Sequence, residues 1–584
     1  MSLSRPPQRA VTGDGRRRAA AALARVLSPR GALALQKVDG AFTFALRAAL
    51  AMALAALPVV AAGRPDLSVY GMMGAFTTTF GRNLPYRRRA RALAAVAVAM
   101  TACVGLGSLL AAVARPWEGS TGAIAVVAAT AVVAGVAKYC CDATRLGGLG
   151  AILLLFSFAV SANAHTTLGE VLPRTGLAAA GAALAWVLAV LGRFVHPDRP
   201  ERLAVAGALR SLAELMDAAR GGTGRSRQRA TAAVLQAYHS LGLAPPTDGD
   251  RVNREVTTVR LADLSWTILI DSSVRLPHDP AELAGLLRAQ AGLLADRRIG
   301  DPPVLPDLSA HTPVTSAHRG HRWQRTTPVD PAARRAWVLV RGRAGGHTPM
   351  AVLVVPAVRM FLGTLVAGGV AVGLGLGHGY WAAISAAAVL HAVNVRTTMQ
   401  RAVQRTLGTA LGLLIALGVL AGHPAPALLA LVIVILEFLL EYMVVRNYGL
   451  GVVFLTPLAL LLSDLADPTS PERLVYDRGL GSLLGIVVGL ACSLLVVHDQ
   501  AAVRVERALA ACSDATRRAE RTLAAGRPVH PVVPVRLAVT VVELRDADDA
   551  AAGELWSAGI DPAALAAAEQ RAYLLLARLL HHIS

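Results

Sequence analysis

Long apolar runs alternate with short polar segments along two stretches of the chain, and a polar region separates the stretches. The first set of runs lies near 41–62, 66–80, 92–114, 121–138, 147–163 and 175–195, and the second near 351–375, 380–395, 405–422, 426–444, 448–463 and 478–497. A helix needs about 20 apolar residues to cross the hydrocarbon core of a bilayer. The pattern therefore predicts an all-α polytopic membrane protein with two sets of six spans.

The other segments have no apolar run of that length and show helical periodicity instead. Helices are predicted at Glu201–Ala219, Arg227–Leu243, Val256–Ser272, Pro280–Ala295, Ala501–Ala525 and Pro562–Leu580, and a loop at 300–328. The domains we expect are a basic cytoplasmic leader at 1–40, a first six-span membrane repeat at 41–195, a cytoplasmic helical domain at 196–348, a second six-span repeat at 349–497 and a cytoplasmic C-terminal helical region at 498–584.

The cytoplasmic assignments rest on the uneven distribution of arginine. Residues 1–40 carry eight Arg or Lys against two Asp, and 87–91, Arg193 and Arg396 fall in connections on the same side of the membrane as this leader. Positive residues accumulate in short cytoplasmic loops. This distribution places both termini in the cytoplasm. Arg also replaces Lys almost throughout, as in GC-rich bacterial genes, so we expect a bacterial inner-membrane protein.

The two sets of spans share residues at matching positions. The pairs are Arg174 with Arg478 and Gly181 with Gly485, at an offset of 304 residues, and Arg47 with Arg359, at an offset of 312. Six spans return the chain to its starting side, so both copies enter the membrane from one side. This predicts a parallel repeat about an axis normal to the bilayer, with a pathway between the copies.

Charge and composition exclude several function classes. The net charge of +20 raises nucleic-acid binding as an interpretation, but 7 Trp, 9 Tyr and 10 Phe form no aromatic pattern within a basic stripe. The 5 cysteines lack Cys-x-x-Cys spacing, and no catalytic or nucleotide-binding motif occurs. We expect no nucleic acid, metal, cofactor or enzyme activity; the expected partners are membrane lipid, a small organic anion and a proton.

Two acids fall inside a predicted span, where ionisable residues are costly and mark functional sites. Glu437 lies well within the run near 426–444, and Glu441 follows one helical turn later on the same face. Burial favours the protonated form of a carboxyl group, as a proton-coupled exporter requires. The alternative is a structural ion pair with an arginine of another helix or with Arg446.

Arg47 and Arg359 occupy matching places in the first span of each repeat, about two turns from the cytoplasmic end. Facing a cavity between the repeats, their guanidinium groups would bind an organic anion. The alternative is that both side chains reach out to lipid headgroups.

Three further residues accompany a short span and the helix after it. Arg401 and Arg405 are four residues apart, so they would form a positive mouth that attracts anions, or else reflect only the cytoplasmic excess of arginine. Trp381 lies at the predicted outer end of its span. An interfacial anchor is its simpler interpretation, and stacking on an aromatic ligand is the alternative.

These segments carry a family resemblance. Tyr380–Ala382, the Arg-x-x-Gly-Thr-x-x-Gly pattern of Arg405–Gly412 and the Arg-Asn-Tyr-Gly segment Arg446–Gly449 resemble the fusaric-acid-resistance superfamily of aromatic-acid exporters. The resemblance covers Ala351–Val497 and, more weakly, Ala41–Val195, where Arg-x-x-Gly-Thr is absent. Similar six-span units occur in plant aluminium-activated malate channels, which work as dimers, so the resemblance leaves a homo-oligomer open.

The resemblance implies two membrane halves, cytoplasmic helical domains and export of small organic acids. Together with the buried acids, it predicts a proton-coupled secondary transporter. An anion channel remains an alternative, as does a membrane scaffold or sensor that acts through its cytoplasmic helices.

Overall fold

The structure, a computed structural model, is described here for residues 35, 40–82, 84–144, 146, 150–218, 224–242, 257–275, 277–296, 298–299, 302–309, 350–392, 395–466, 470–495, 500–526, 529–530, 532–552 and 561–581. All regular elements in these residues are helices. The predicted leader lies outside them, except for Leu35 and Gly40, as does most of the predicted loop at 300–328.

The helices of the first stretch are α1 (Ala41–Ala61), α2 (Pro65–Ala75), α3 (Tyr86–Ala114), α4 (Ser120–Thr144), α5 (Gly150–Asn163) and α6 (Leu168–Val195), and those of the polar region are α7 (Arg199–Asp217), α8 (Gly224–Leu241), α9 (Thr257–Val274), α10 (Pro280–Ala295) and α11 (Pro306–Ser309). The second stretch contains α12 (Met350–Gly373), α13 (Tyr380–Leu390), α14 (Val395–Ala421), α15 (Pro426–Val444), α16 (Tyr448–Ala466) and α17 (Pro471–Leu495), and α18 (Gln500–Ala524), α19 (Val532–Ala551) and α20 (Pro562–His581) follow.

Nine helices in the described residues are long and apolar enough to cross a membrane. The predicted full spans at 66–80, 147–163 and 380–395 need correction, because α2, α5 and α13 have only 11, 14 and 11 residues. At 1.5 Å per residue these helices are roughly 16–21 Å long, against about 30 Å of hydrocarbon. Every residue of α13 is buried, as are all but the last residue of α5. The three short apolar helices are therefore enclosed by longer ones.

The membrane helices form two packed groups with several contacts between them. In the first group α6 packs against α2 and α3, and α3 against α5; in the second, α17 packs against α13 and α14, and α14 against α16. Between the groups, α1 packs against α15 and α4 against α12. The short helices also meet the other group, α2 at α16 and α13 at α5.

A separate helical domain lies outside the membrane helices. Residues of α7–α10 and α18–α20 share one hydrophobic core, which includes Leu209, Trp266 and Tyr573. Thr231 of α8 and Tyr573 of α20 also form a hydrogen bond of 2.9 Å between their hydroxyl oxygens. The described parts of the 196–348 and 498–584 segments, which were predicted as two regions, thus share a single core.

Candidate functional site

The helices α13 and α17 cross closely because Gly485 has no side chain at their crossing. A Cβ atom there would collide with the Ala382 carbonyl oxygen. This approach places the Arg478 side chain of α17 over the Trp381 indole of α13, with the guanidinium carbon 3.9 Å from the ring centre. The two residues are 1% and 0% exposed. A cation and an indole ring therefore meet in the protein interior, a geometry that stabilises the cation.

A second buried arginine comes from α14. Arg405 is 1% exposed; its Nη2 donates to Ser385 Oγ at 3.2 Å, and its Nη1 to the Tyr448 hydroxyl at 3.5 Å. Arg405 also interacts electrostatically with Arg478. We call Arg405, Arg478, Trp381, Ser385 and Tyr448 the arginine–indole site. Two like charges in a poorly solvated interior repel each other, so this site favours an anion between or beside them.

Several hydrogen-bond donors of the arginine–indole site have no partner. They are Nε and Nη1 of Arg478, Nε of Arg405 and the indole Nε1 of Trp381. Within the described residues, no carboxylate forms an ion pair with either guanidinium group; Asp477, next to Arg478 in sequence, pairs with His378 at 2.8 Å instead. Buried charges without partners cost several kcal/mol, on the order of 3–5 when one half of a pair is missing. The geometry therefore suits a bound anion with acceptor atoms.

The first group of helices contains a similar arrangement around Arg174 of α6. Its guanidinium carbon lies 4.9 Å from the ring centre of Tyr70 on α2. Arg174, however, has its own acid: Nη2 lies 3.0 Å from Glu170 Oε2. The same guanidinium group donates to the His165 carbonyl at 2.8 Å and to the Thr166 hydroxyl. Both terminal nitrogens of Arg174 thus have partners in the protein, and its charge is paired with Glu170, although its Nε has no partner.

The two predicted acids lie together at the contact between α15 and α1. Glu437 and Glu441 are 1% and 3% exposed, and Glu437 Oε2 has no hydrogen-bond partner. Glu441 interacts electrostatically with Arg82 and Arg47. The guanidinium carbons of Arg47 and Arg82 lie 5.0 and 4.4 Å from the ring centre of Phe44. We call Glu437, Glu441, Arg47 and Arg82 the acid–arginine cluster; ionisable groups enclosed in this way are costly and mark functional sites.

Comparisons with known proteins support a membrane protein. Residues 365–492, which include Trp381, Arg405 and Arg478, match the family model described as "Fusaric acid resistance protein-like". This region is similar to that family. The chain is also 23% identical over 541 residues to "Uncharacterized membrane protein YvaC" of Bacillus subtilis (strain 168), covering 89% of this chain and 83% of that protein. No solved structure matches the chain. The matches point to a multi-pass membrane protein of the transporter type.

The other predicted site residues are not members of the arginine–indole site, although Arg401 contacts its Tyr448. Arg359 is buried, and its Nη2 donates to the carbonyl oxygens of Leu390 and Ala392 at 3.1 and 3.0 Å. It therefore caps the C-terminal end of α13, where free carbonyl groups attract a cation. Arg401 stacks on the ring of Tyr448, 5.1 Å from its centre.

Arg446 lies at the membrane end nearest the helical domain. Its guanidinium carbon is 3.9 Å from the ring centre of Tyr442. Both side chains line an open cleft of about 550 Å³, together with Asp296 and Arg298 at the end of α10. This cleft joins the surface of α15 to the helical domain.

The sequence analysis missed some residues of these two clusters. It used Arg478 only as evidence for the repeat, and it assigned no role to Ser385, Tyr448 or Arg82. The available signal for Arg478 was its match with Arg174 at the repeat offset, since ionisable residues within apolar spans rarely face lipid. The structure also decides the place of Trp381, which is buried and therefore does not act as an interfacial anchor.

Proposed function

We propose that this chain is a proton-coupled secondary transporter that exports small organic acids, including aromatic acids, across a bacterial inner membrane. The observation that carries the proposal is the arginine–indole site. It holds two buried cations with unpaired donors beside an indole face, and no described carboxylate neutralises them. An anion with a flat ring satisfies the guanidinium groups and stacks on the aromatic surface.

The architecture we propose is a pair of parallel six-helix repeats. The contacts between the groups support it, because they are reciprocal: the first helix of each group packs against the fourth helix of the other. The glycine crossings match as well, since Gly181 meets the Gly71 carbonyl as Gly485 meets that of Ala382. Trp381 also stacks on Phe156 of α5, with ring centres 6.1 Å apart. The arginine–indole site therefore adjoins the interface of the proposed repeats, where a pathway is expected.

The orientation we propose places both termini and the helical domain in the cytoplasm. The N-terminal ends of α1 and α3 both meet the helical domain: Gly40 lies against Leu203, and Arg88 Nη1 is 2.7 Å from His239 Nε2. Because the N-terminal ends of α1 and α3 lie on the same side, the chain must return to that side after α1. It does so through α2 and the 3-10 turn Phe76–Thr79, although these elements are short. The arginine-rich connections on this side support a cytoplasmic assignment.

The acid–arginine cluster is the part of the proposal that supplies coupling. A carboxyl group enclosed at a helix contact can bind a proton on one side of the membrane and release it on the other when the helices move. Glu437 is the primary candidate because its Oε2 atom lacks a partner, and Glu441 faces the arginines. An anion channel is the second candidate, because an arginine–indole site that no described carboxylate neutralises suits a channel as well as a carrier.

Transport by purified protein in liposomes tests the proposal. We expect terephthalate, whose two charges slow passive leakage, to move when a pH gradient is imposed. Replacing Arg405 or Arg478 by Gln should abolish this movement, whereas Arg115→Gln, an exposed residue paired with Glu118, should leave it unchanged. Two outcomes together would favour the channel: terephthalate moves when no pH gradient is imposed, and reversing an imposed pH gradient does not change the movement. Normal transport by Arg405→Gln and Arg478→Gln would remove the arginine–indole site from the function.

A further inference from the structure

The surroundings of Arg174 and Arg478 share a common framework. Each arginine lies seven residues before a glycine that crosses the neighbouring short helix, Gly181 and Gly485. In each crossing, the carbonyl facing the glycine belongs to the residue after the stacked aromatic ring, Tyr70 or Trp381. The two sites are therefore comparable position by position.

The comparison shows where the two sites differ in charge. Glu170 lies four residues before Arg174 and binds it; the residue four before Arg478 is Leu474, which is fully buried among Ala416 and Leu460. Positions i and i+4 share a helix face, so the position that matches Glu170 holds an apolar residue, which cannot neutralise Arg478.

Arg405 differs as well from its counterpart. Gly107 contacts the backbone of α5 as Gly412 contacts that of α16, and the residue seven before Gly107 is Met100 where Arg405 precedes Gly412. Met100 is buried and uncharged. The first site therefore has one cation and one anion, whereas the second has two cations and no anion of its own.

We propose that the ligand of the arginine–indole site is a carboxylate that pairs with Arg478 as Glu170 pairs with Arg174 in the first repeat, and that Glu170 acts as a built-in occupant which closes the first site. This inference rests on the proposed function and names its ligand group. The contact between Arg174 and Glu170 is then a template: the ligand carboxylate lies about 3 Å from the Arg478 guanidinium, and the rest of the ligand extends along Trp381. Transport runs through one site per chain.

Installing the acid in the second site tests the proposal. The probe is benzoate, with benzamide as its uncharged analogue, and binding to purified protein in lipid nanodiscs is followed by calorimetry. Leu474→Glu should weaken benzoate binding at least tenfold, because the new carboxylate occupies Arg478, a loss of about 1.4 kcal/mol or more. Leu474→Gln has nearly the same shape without the charge and should bind benzoate much more tightly than Leu474→Glu. Equal benzoate affinity in folded Leu474→Glu and Leu474→Gln overturns the proposal.

A second variant decides the question if Leu474→Glu does not fold. Glu170 is partly exposed, with 43% of its side chain accessible, and it also accepts a hydrogen bond from the Thr167 backbone N–H at 3.1 Å, so Glu170→Ala should lower the melting temperature but still fold. It should raise the number of bound benzoate molecules from one to two per chain, and adding Arg174→Gln should return it to one. A single benzoate in Glu170→Ala counts against the inference.

The proposed function is judged separately, by Arg478→Gln. If this variant loses benzoate while Leu474→Glu keeps it, the anion site stands and the template fails. If wild-type protein binds benzoate no better than Arg478→Gln, the arginine–indole site itself is wrong.

Discussion

The guanidinium carbon of Arg478 lies 3.9 Å from the ring centre of Trp381, and both side chains are enclosed by α13, α14 and α17. The indole face stabilises the cation but leaves its Nε and Nη1 donors unpaired. A cation kept dry and incompletely bonded destabilises the fold unless a ligand completes its bonding. We therefore regard this pair as built for binding rather than for stability.

The first prediction concerns the indole ring. Trp381→Ala should lower the affinity for benzoate roughly tenfold, because a desolvated cation–π contact and ring stacking contribute about 1–2 kcal/mol. Trp381→Phe keeps a ring face and should retain most of the affinity. Calorimetry in nanodiscs measures both. If Trp381→Ala binds benzoate as tightly as wild type, the ligand does not lie along this ring.

The second prediction concerns the repulsion between the two arginines. Arg405→Met copies Met100 of the first repeat, so it should raise the melting temperature in the absence of ligand while weakening anion binding. The control is Arg115→Met, which removes an exposed arginine outside the site and should not raise the melting temperature. A lower melting temperature for Arg405→Met would show that Arg405 stabilises the empty protein.

The long membrane helices could be predicted from apolar runs, because a bilayer demands long apolar helices whatever the tertiary contacts are. The nine long helices of the described residues illustrate this. The short length of α2, α5 and α13 could not be predicted in this way, since a run such as 66–80 is apolar whether it forms a full span or a shorter enclosed helix. α19 was also missed, because Pro534 and the acidic end of Val532–Ala551 obscure its helical period.

The candidate site was only partly predictable for a related reason. Trp381 and Arg405 were each recognised as candidates, but their contact with Arg478 was not predicted. Trp381 and Arg478 are 97 residues apart in sequence and meet at a helix crossing, which periodicity does not reveal. Arg359 carries the same charge as Arg405, yet it caps α13. Charge and depth identify candidates, whereas the crossings at glycine decide which of them meet.

The third prediction concerns topology. Alkaline phosphatase fused near residue 260 or after Ser584 should be inactive, because we expect both points in the cytoplasm. A fusion in the turn between α3 and α4, near Gly119, should be active. Activity near residue 260 would contradict the proposed orientation and the parallel repeat together.

The fourth prediction concerns Glu201 of α7, where the helical domain approaches α3. Burial raises the pKa of Glu201, and Arg89 offsets this only in part. A raised pKa means that the folded state favours the protonated acid, so this stabilisation is complete below the ordinary pKa of glutamate and is lost as pH rises through the raised pKa. Glu201→Gln should therefore increase stability at neutral pH by roughly 1 kcal/mol or less, with no gain in acid. Melting temperatures of both proteins between acid and neutral pH measure the difference; an equal gain at every pH would contradict it.

The last prediction assigns coupling to Glu437. The acid of the first repeat on the corresponding helix, Asp142 of α4, is neutralised by Lys138 at 2.9 Å. Glu437 is more deeply buried and has no such partner on α15, so it is available to bind a proton. Glu437→Gln should keep expression and melting temperature near those of wild type, because the amide resembles the protonated acid, yet it should abolish movement driven by a pH gradient.

Two comparisons distinguish a coupling role of Glu437 from a structural one. Glu441→Gln removes the acid that faces Arg47 and Arg82, so it should reduce stability more than Glu437→Gln does. A structural role for Glu437 would reverse that order, with loss of folded protein in Glu437→Gln. Benzoate binding should survive in Glu437→Gln, because the arginine–indole site is intact. Full gradient-driven transport by this variant would exclude Glu437 from coupling and make the anion channel the better description.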